Sequence, residues 1–290
     1  MNLASPAEVK KLLEDIGVRP NKVLGQNFLI DRNILNKLIS AADVSENDCV
    51  LEIGGGLGIV TEELVVKAGS LTVVEKDKKL AHHLLNKYGD NPKVEIIHDD
   101  VLKVISRPDW PEKEQDYNKV VANLPYSVGT RLLVDMIQSQ SRPQLVVVTV
   151  QLEVAERFSA ECGAKDYGLL SIWSQMHYNV ELVKAVNNTC FWPKPEVTSG
   201  ILKLELMNEG QPSPETARGV YRLTKHAFSH RRKQMSNILR NCIDDFRIEP
   251  EVISEIFEKL GLSVSLRPQN LSVSDWLGLT QAIMEVKGNG

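Results

Sequence analysis

Cysteine is scarce in this chain and never clustered. Cys49, Cys162, Cys190 and Cys242 are scattered through 290 residues without a Cys-x-x-Cys pair, so the sequence encodes neither a zinc site nor a disulfide framework. Reduced thiols of a cytosolic protein are the simpler reading. Long apolar runs are missing too, since no stretch approaches the roughly 18 apolar residues of a membrane span. Met1 to Arg19 mixes Glu8, Glu14 and Asp15 with its lysines and lacks an apolar signal core, so no leader and a cytoplasmic, membrane-free protein are expected. Aromatic residues reach only 6%, against 42% apolar and 25% charged, which fits a globular chain and excludes a disordered or fibrous one. Its length allows one large core and a second small domain.

Positive charge is in short supply overall. The net charge of −4 weighs against a polyanionic partner. Acidic residues, however, are missing between Thr216 and Ile243, where Arg218, Arg222, Lys225, Arg231, Arg232, Lys233 and Arg240 all fall. A one-signed block of this kind suits phosphate contacts better than a merely solvated helix face, and makes Arg222, Arg231, Arg232 and Lys233 the candidates.

Short apolar runs alternate with helical patterns between Cys49 and Gln151. The runs are Val50–Ile53, Leu71–Val74, Val94–Ile97, Val120–Ala122 and Leu145–Val148, and this spacing predicts a parallel sheet covered on both faces. Leu80 and Leu84, with Ala81 and Leu85 beside them, mark a crossover helix, and Leu152 to Ala160 another helix. Val180 to Val186 and Gly200 to Leu206 are predicted to form an antiparallel hairpin at one sheet edge. The polar, breaker-rich stretch 208–214 sets a boundary between an α/β domain over residues 1–207 and a small all-α domain over 214–290, where Val220, Leu223 and Ala227 form one stripe and Ile253, Ile256, Phe257 and Leu260 another.

The first strand runs into Gly54-Gly55-Gly56-Leu57-Gly58. Such a turn lets a ligand lie against bare backbone at a helix N-terminus. The dinucleotide fingerprint G-x-G-x-x-G fails in either frame, because its third glycine would be Ile59 or Thr61, and this disfavours a nicotinamide oxidoreductase. Glu75 closes the second strand, where a carboxylate accepts hydrogen bonds from ribose hydroxyls, and Asp100, after Asp99, closes the third, where an acceptor suits an adenine amino group. Each acid alone is a common turn-former; the ordered set, with Gly54 and Gly56, points to a nucleoside-bearing cofactor.

Asn123-Leu124-Pro125-Tyr126 follows the fourth strand. The exocyclic amine of adenine is a poor nucleophile because its lone pair is conjugated into the ring. The Asn123 side-chain oxygen and a backbone carbonyl, that of Leu124, each suit one N6 hydrogen, which would aim the lone pair at a methyl donor. Pro125 stiffens the turn and Tyr126 offers a stacking surface for the base.

At these residues the chain resembles the KsgA-type 16S ribosomal RNA adenine dimethyltransferases. Matching segments include Leu24–Leu29, Leu51–Gly54, Asn123–Tyr126, Gln151–Arg157, Phe191–Val197, Phe228–Lys233, Arg267-Pro268 and Leu271-Ser272. The resemblance implies a Rossmann-like methyltransferase fold, S-adenosylmethionine as cofactor, and a pocket for it lined by Asn27, Leu29, Gly54, Glu75, Asp100 and Asn123. It implies that Phe191 opposes Tyr126 across the target base. It further implies that a monomer dimethylates two adjacent adenosines in the 3′-terminal hairpin of small-subunit RNA during ribosome biogenesis, with the assembling small subunit as partner. Gly55, where the family usually carries proline, is expected to loosen the loop, and Ser127-Val128-Gly129 is a second departure beside the base pocket. A macrolide-resistance methylase acting on large-subunit RNA and a non-catalytic ribosome-assembly factor are the rival readings. Leu124, the Phe-x-Pro-x-Pro segment at Phe191–Pro195 and the long C-terminal region disfavour the first; intact Glu75, Asp100 and Asn123 disfavour the second.

Overall fold

The computed structural model describes residues 5–21, 24–106, 117–242 and 246–288, so Ile243, the end of the acid-free block, lies outside them. The chain forms two compact units.

The first unit holds Met1–Ala155 and Val180–Leu206. Helix α1 (Pro6–Asp15) starts where the Ser5 side chain accepts from the Glu8 amide and Pro6 takes a position that needs no N–H donor. The two-residue strand β1 (Phe28–Leu29) leads to α2 (Arg32–Ala42), capped by the Asp31 carboxylate. Then β2 (Cys49–Ile53), α3 (Ile59–Lys67), β3 (Ser70–Glu75), α4 (Lys78–Tyr88), β4 (Val94–His98), the single turn α5 (Val101–Val104), β5 (Lys119–Asn123), α6 (Gly129–Gln138), β6 (Leu145–Gln151) and α7 (Leu152–Ser159) follow in alternation. All five predicted runs are strands. They pair in parallel in the order β4-β3-β2-β5-β6. Val120, Val121 and Ala122 on β5 and Val146, Val147 and Val148 on β6 are all buried, as strands covered on both faces require.

The far edge differs in detail from a simple hairpin. Strand β7 (Tyr178–Val186) is outermost, while β9 (Ser199–Leu206) inserts between it and β6, antiparallel to β6. Between them in sequence, β8 (Phe191–Trp192) leaves the sheet and pairs antiparallel with β1, placing Leu29 opposite Phe191. The stripe on α4 is also narrower than predicted: Leu80, Ala81 and Leu84 are buried, but Leu85 is 52% exposed, because one residue beyond Leu84 turns about 100° away from the sheet.

The second unit holds Glu156–Asn179 and Met207–Gly290, which corrects the contiguous 1–207 and 214–290 division. The segment 156–179 joins it because Tyr167, Ile172 and Met176 are buried in one cluster with Val220, Leu223, Phe257 and Trp276. The Tyr167 hydroxyl donates to the Leu271 carbonyl at 2.8 Å, and the His177 ring lies between Gln211 Oε1 at 2.7 Å and the Tyr221 hydroxyl at 3.0 Å. This unit is helical: α8 (Leu169–Gln175), α9 (Pro214–Ser229), α10 (Met235–Arg240), α11 (Pro250–Lys259) and α12 (Val273–Gly288). Among the described residues, no helix is long and apolar enough to cross a membrane.

Candidate active site

From β2 the chain winds outward to β3 and β4 on one side, while β5 and β6 lie on the other. Carboxyl ends of strands diverge at such a reversal and leave a crevice between their loops. A cavity of about 280 Å³ opens there, and Asn27, Gly54, Gly56, Glu75, Asp100, Asn123, Leu124, Pro125 and Tyr126 all line it. Leu29 and Phe191 do not. Leu29 is 1% exposed and borders a smaller neighbouring cavity of about 30 Å³; Phe191 is 2% exposed and belongs to the core beneath β1.

The glycine turn is shaped by backbone geometry. Gly54 and Gly56 have φ of 73° and 56°, in the left-handed region where a side chain is strained. The Gly56 N–H donates to Glu75 Oε2 at 2.9 Å, and the Asp77 N–H donates to Oε1 at 2.8 Å. Each carboxylate oxygen thus uses one lone pair on the fold and keeps capacity for another donor, an arrangement suited to a vicinal diol. Burial pushes the Glu75 carboxyl above the usual range, the Asp77, Gly56 and Lys76 backbone N–H groups pull it back, and the Asp77 charge adds to the upward push. Gly55 is less free than its sequence suggests: a Cβ there would meet Val73 Cγ1 at 2.6 Å and Leu84 Cδ1 at 2.8 Å, so neighbouring side chains fill the space a ring would occupy.

Asp100 performs two local tasks. Its Oδ1 accepts from the Leu102 amide at 3.0 Å, starting α5, and its Oδ2 pairs with Lys76 Nζ at 2.7 Å. The Lys76 ammonium holds the Asp100 carboxyl below its ordinary value. Each Asp100 oxygen thus has one partner on the fold and keeps a lone pair for an incoming amino group. On the opposite wall, Gln26 Nε2 donates to Asp77 Oδ2 at 3.4 Å and its Oε1 accepts from the Asn21 amide at 2.8 Å, which ties the segment carrying Asn27 to the loop after β3.

Asn123 is clamped from two sides. Its Nδ2 donates to the Asn27 carbonyl at 2.9 Å, and its Oδ1 accepts from the hydroxyl of Thr149, the residue beside it in the β5–β6 register. A carbonyl only accepts, so the amide's orientation is fixed: Nδ2 toward Asn27, Oδ1 toward Thr149. Thr149 is 0% exposed, so the clamp is rooted in the core. One Oδ1 lone pair and one Nδ2 hydrogen remain for a ligand. The Tyr126 hydroxyl bonds to Ser199 Oγ on β9, which fixes the ring at the cavity wall, and its burial raises the phenol's pKa.

Sequence reasoning misses Thr149, Ser199, Lys76 and Gln26. Lys76 adjoins Glu75 and Gln26 lies within the matching segment Leu24–Leu29, though neither is given a role there; Thr149 and Ser199 carry no motif and become visible only once β6 and β9 are placed.

The basic block lies in the second unit. Arg222 stacks over the Phe246 ring, 5.4 Å from its centroid, and Arg231 Nη2 donates to the Lys165 carbonyl at 3.0 Å. Arg232 and Lys233 are exposed. Two of the four candidates thus also support local structure.

The family described as ribosomal RNA adenine dimethylase matches residues 17–251. Ribosomal RNA small subunit methyltransferase A of Clostridium perfringens is 35% identical over 100% of this chain and 99% of its own length. The protein of the same description from Levilactobacillus brevis is 37% identical over 97% of this chain and 95% of its own. Among solved structures, a dimethyladenosine transferase from Plasmodium falciparum superposes with a TM-score of 0.75 at 24% identity, covering 90% of this chain and 98% of its own. The 23S rRNA methyltransferase ErmE gives a TM-score of 0.68 at 22% identity, covering 89% and 100%. Both share the fold.

Proposed function

The chain belongs to the ribosomal RNA adenine dimethylase family and is an S-adenosylmethionine-dependent enzyme, and from that membership we propose that it dimethylates two adjacent adenosines in the 3′-terminal hairpin of small-subunit ribosomal RNA. It acts on the assembling small subunit, as a monomer, in the cytoplasm. The observation that carries the reading is the clamped Asn123 amide at the wall of the 280 Å³ cavity, presenting an acceptor in one orientation.

S-adenosylmethionine supplies the methyl group. The residues fit it: Gly54 and Gly56 offer bare backbone, Glu75 two oxygens for the ribose diol, and Asp100, shared with Lys76, an acceptor for the adenine amino group. Asn27 holds Asn123 through its carbonyl, and Leu29 and Phe191 brace that segment from the core. At the target, Asn123 Oδ1 and the Leu124 carbonyl each take an N6 hydrogen, Pro125 keeps the turn stiff, and Tyr126 stacks on the base. The amine becomes acidic once alkylated, so water suffices as the final proton acceptor. The unstacked adenine that this pocket needs is found in hairpin loops. Arg232 and Lys233, with Arg222 and Arg231 as partly structural members, contact RNA phosphates.

Full-length likeness to small-subunit methyltransferases at 34–37% identity favours this target over the large-subunit rival. The test is direct. The protein and labelled S-adenosylmethionine are incubated with ribosomal subunits lacking the modification, and methylated bases are mapped. Two adjacent small-subunit adenosines are expected; label confined to large-subunit RNA overturns the proposal.

A further inference from the structure

Strand β2 carries one acidic side chain into the core, Glu52, which is 1% exposed. Its Oε2 has no hydrogen-bond partner among the described residues, and neither does the Thr61 hydroxyl in the first turn of α3, although Thr61 lies close enough to act on the carboxyl. The cavity of about 30 Å³ lies against this carboxyl. Such a space holds about one water molecule. It shares Phe28, Gly54, Gly56 and Asn123 with the main cavity, so it continues the crevice beneath the glycine turn toward the clamped amide.

The groups around Glu52 are acidic, neutral or apolar. Glu75 on β3 raises the energy of a charge here; Tyr88 on α4 is a neutral phenol with the Lys87 ammonium 5.0 Å from its ring; α1 and β1 contribute Val9, Phe28 and Leu29; β5 contributes Asn123. Among the described residues, no cation acts on the carboxyl. Burial pushes Glu52 up to about 8, the nearby Thr61 donors pull it down and Glu75 pushes it further up, so it is protonated at neutral pH while nothing cationic occupies the crevice.

S-adenosylmethionine carries a sulfonium, an ammonium and one carboxylate, a net charge of +1; the demethylated product has lost the sulfonium charge. We propose that Glu52 senses this difference, releasing its proton to solvent when the cationic cofactor fills the adjoining crevice and taking one back when S-adenosylhomocysteine replaces it. The inference rests on the crevice being the S-adenosylmethionine site. One O–H bond breaks on binding, its proton going to buffer, and one forms after transfer. The consequence is discrimination between cofactor and spent product by charge, at a residue that needs no direct contact with the reacting carbon.

The test is calorimetric titration of the intact protein with S-adenosylmethionine and with S-adenosylhomocysteine at pH 6.5, in buffers of different ionisation enthalpy. At that pH the free amine of each ligand stays protonated and does not contribute. The wild-type protein is expected to release close to one proton on binding S-adenosylmethionine and much less on binding S-adenosylhomocysteine. Glu75 faces the ribose, which both ligands share, so its own titration cancels in the difference. In Glu52→Gln the difference disappears, and the affinity ratio of the two ligands falls several-fold. Equal proton release for both ligands in the wild type, or an unchanged difference in Glu52→Gln, overturns the inference. The wild-type comparison stands even where the variant does not fold, and a wild type that binds neither ligand refutes the cofactor site itself.

Discussion

Replacing Thr149 with valine removes one hydroxyl and almost nothing else. The residue is 0% exposed, so the new methyl group stays in the volume the oxygen filled. What changes is the partner it offered to Asn123 Oδ1. A polar atom left fully buried without a partner costs about 1–3 kcal/mol, but this one borders an open cavity where water can reach it, so we expect a stability loss near the lower end, about 0.5–1.5 kcal/mol. The effect on rate is larger. With only the Asn27 carbonyl still holding Nδ2, the amide can swing about that single hydrogen bond, and displacement of an orienting group by about 1 Å commonly costs on the order of a hundredfold. Single-turnover transfer should therefore slow by roughly 10–100-fold. The calorimetric affinity for S-adenosylhomocysteine should stay within a factor of about three, an equilibrium change under 1 kcal/mol. Thr149→Ser restores the hydroxyl and should recover most of the rate. A valine variant with wild-type kcat, or a serine variant as slow as valine, refutes the clamp.

Asn123→Ala should lower kcat by about a hundredfold or more while the protein stays folded, with a stability loss of about 1–3 kcal/mol from the Thr149 hydroxyl left without its acceptor, and normal turnover by the folded variant removes Asn123 from the reaction. Glu75→Ala should weaken cofactor binding by roughly 1.5–3 kcal/mol, read by calorimetry and partly offset by excess cofactor; equal affinity places the ribose elsewhere. Glutamine at Arg231, Arg232 and Lys233 together should flatten the log–log salt dependence of RNA affinity by about 0.7 for each single-stranded phosphate no longer neutralised. Arg231 gives one of its five N–H donors to the Lys165 carbonyl and keeps its charge, so all three residues can contribute to the change, and a lower melting temperature with an unchanged slope assigns the block to structure. Glu52→Gln also alters stability against pH. The carboxyl rises from 4.5 to about 8 on folding, so its contribution is complete below about pH 4.5 and lost as pH climbs through 8. That is on the order of 3–5 kcal/mol. Melting temperatures of variant and wild type should diverge in the variant's favour from pH 5 to pH 8, and parallel curves contradict the raised value.

The catalytic sheet is legible in the sequence because its signals are local. A run such as Val120–Ala122 is too short for a buried helix, and its turn residues, Asn123 to Tyr126, declare where it stops. Glycines, strand-end acids and the tetrapeptide fall in chain order at the ends of successive strands, so their convergence follows from one rule of parallel sheets. Neighbours set by strand pairing are not legible. Thr149 faces Asn123 because β6 runs beside β5 in one register, and Ser199 reaches Tyr126 only because β9 comes back antiparallel to β6. No breaker-rich stretch like 208–214 marks off 156–179, and its affiliation emerges only when Tyr167 and Ile172 join the core cluster that contains Trp276. Phe191, which the family resemblance sets across the target base from Tyr126, is 2% exposed and pairs with Leu29, a placement that follows from the β1–β8 register and that no local pattern declares.

The close approach of Val73 and Leu84 to Gly55 restricts which side chains this turn can carry. A proline at this position, usual in the family this chain resembles, would drive its ring into both side chains, and overpacking of this kind commonly costs about 1–3 kcal/mol. A substitution at residue 55 is therefore coupled energetically to Val73 and Leu84. Grafted alone, a proline that stiffens such a turn would weaken it here, unless Val73 and Leu84 give way or are made smaller in the same variant.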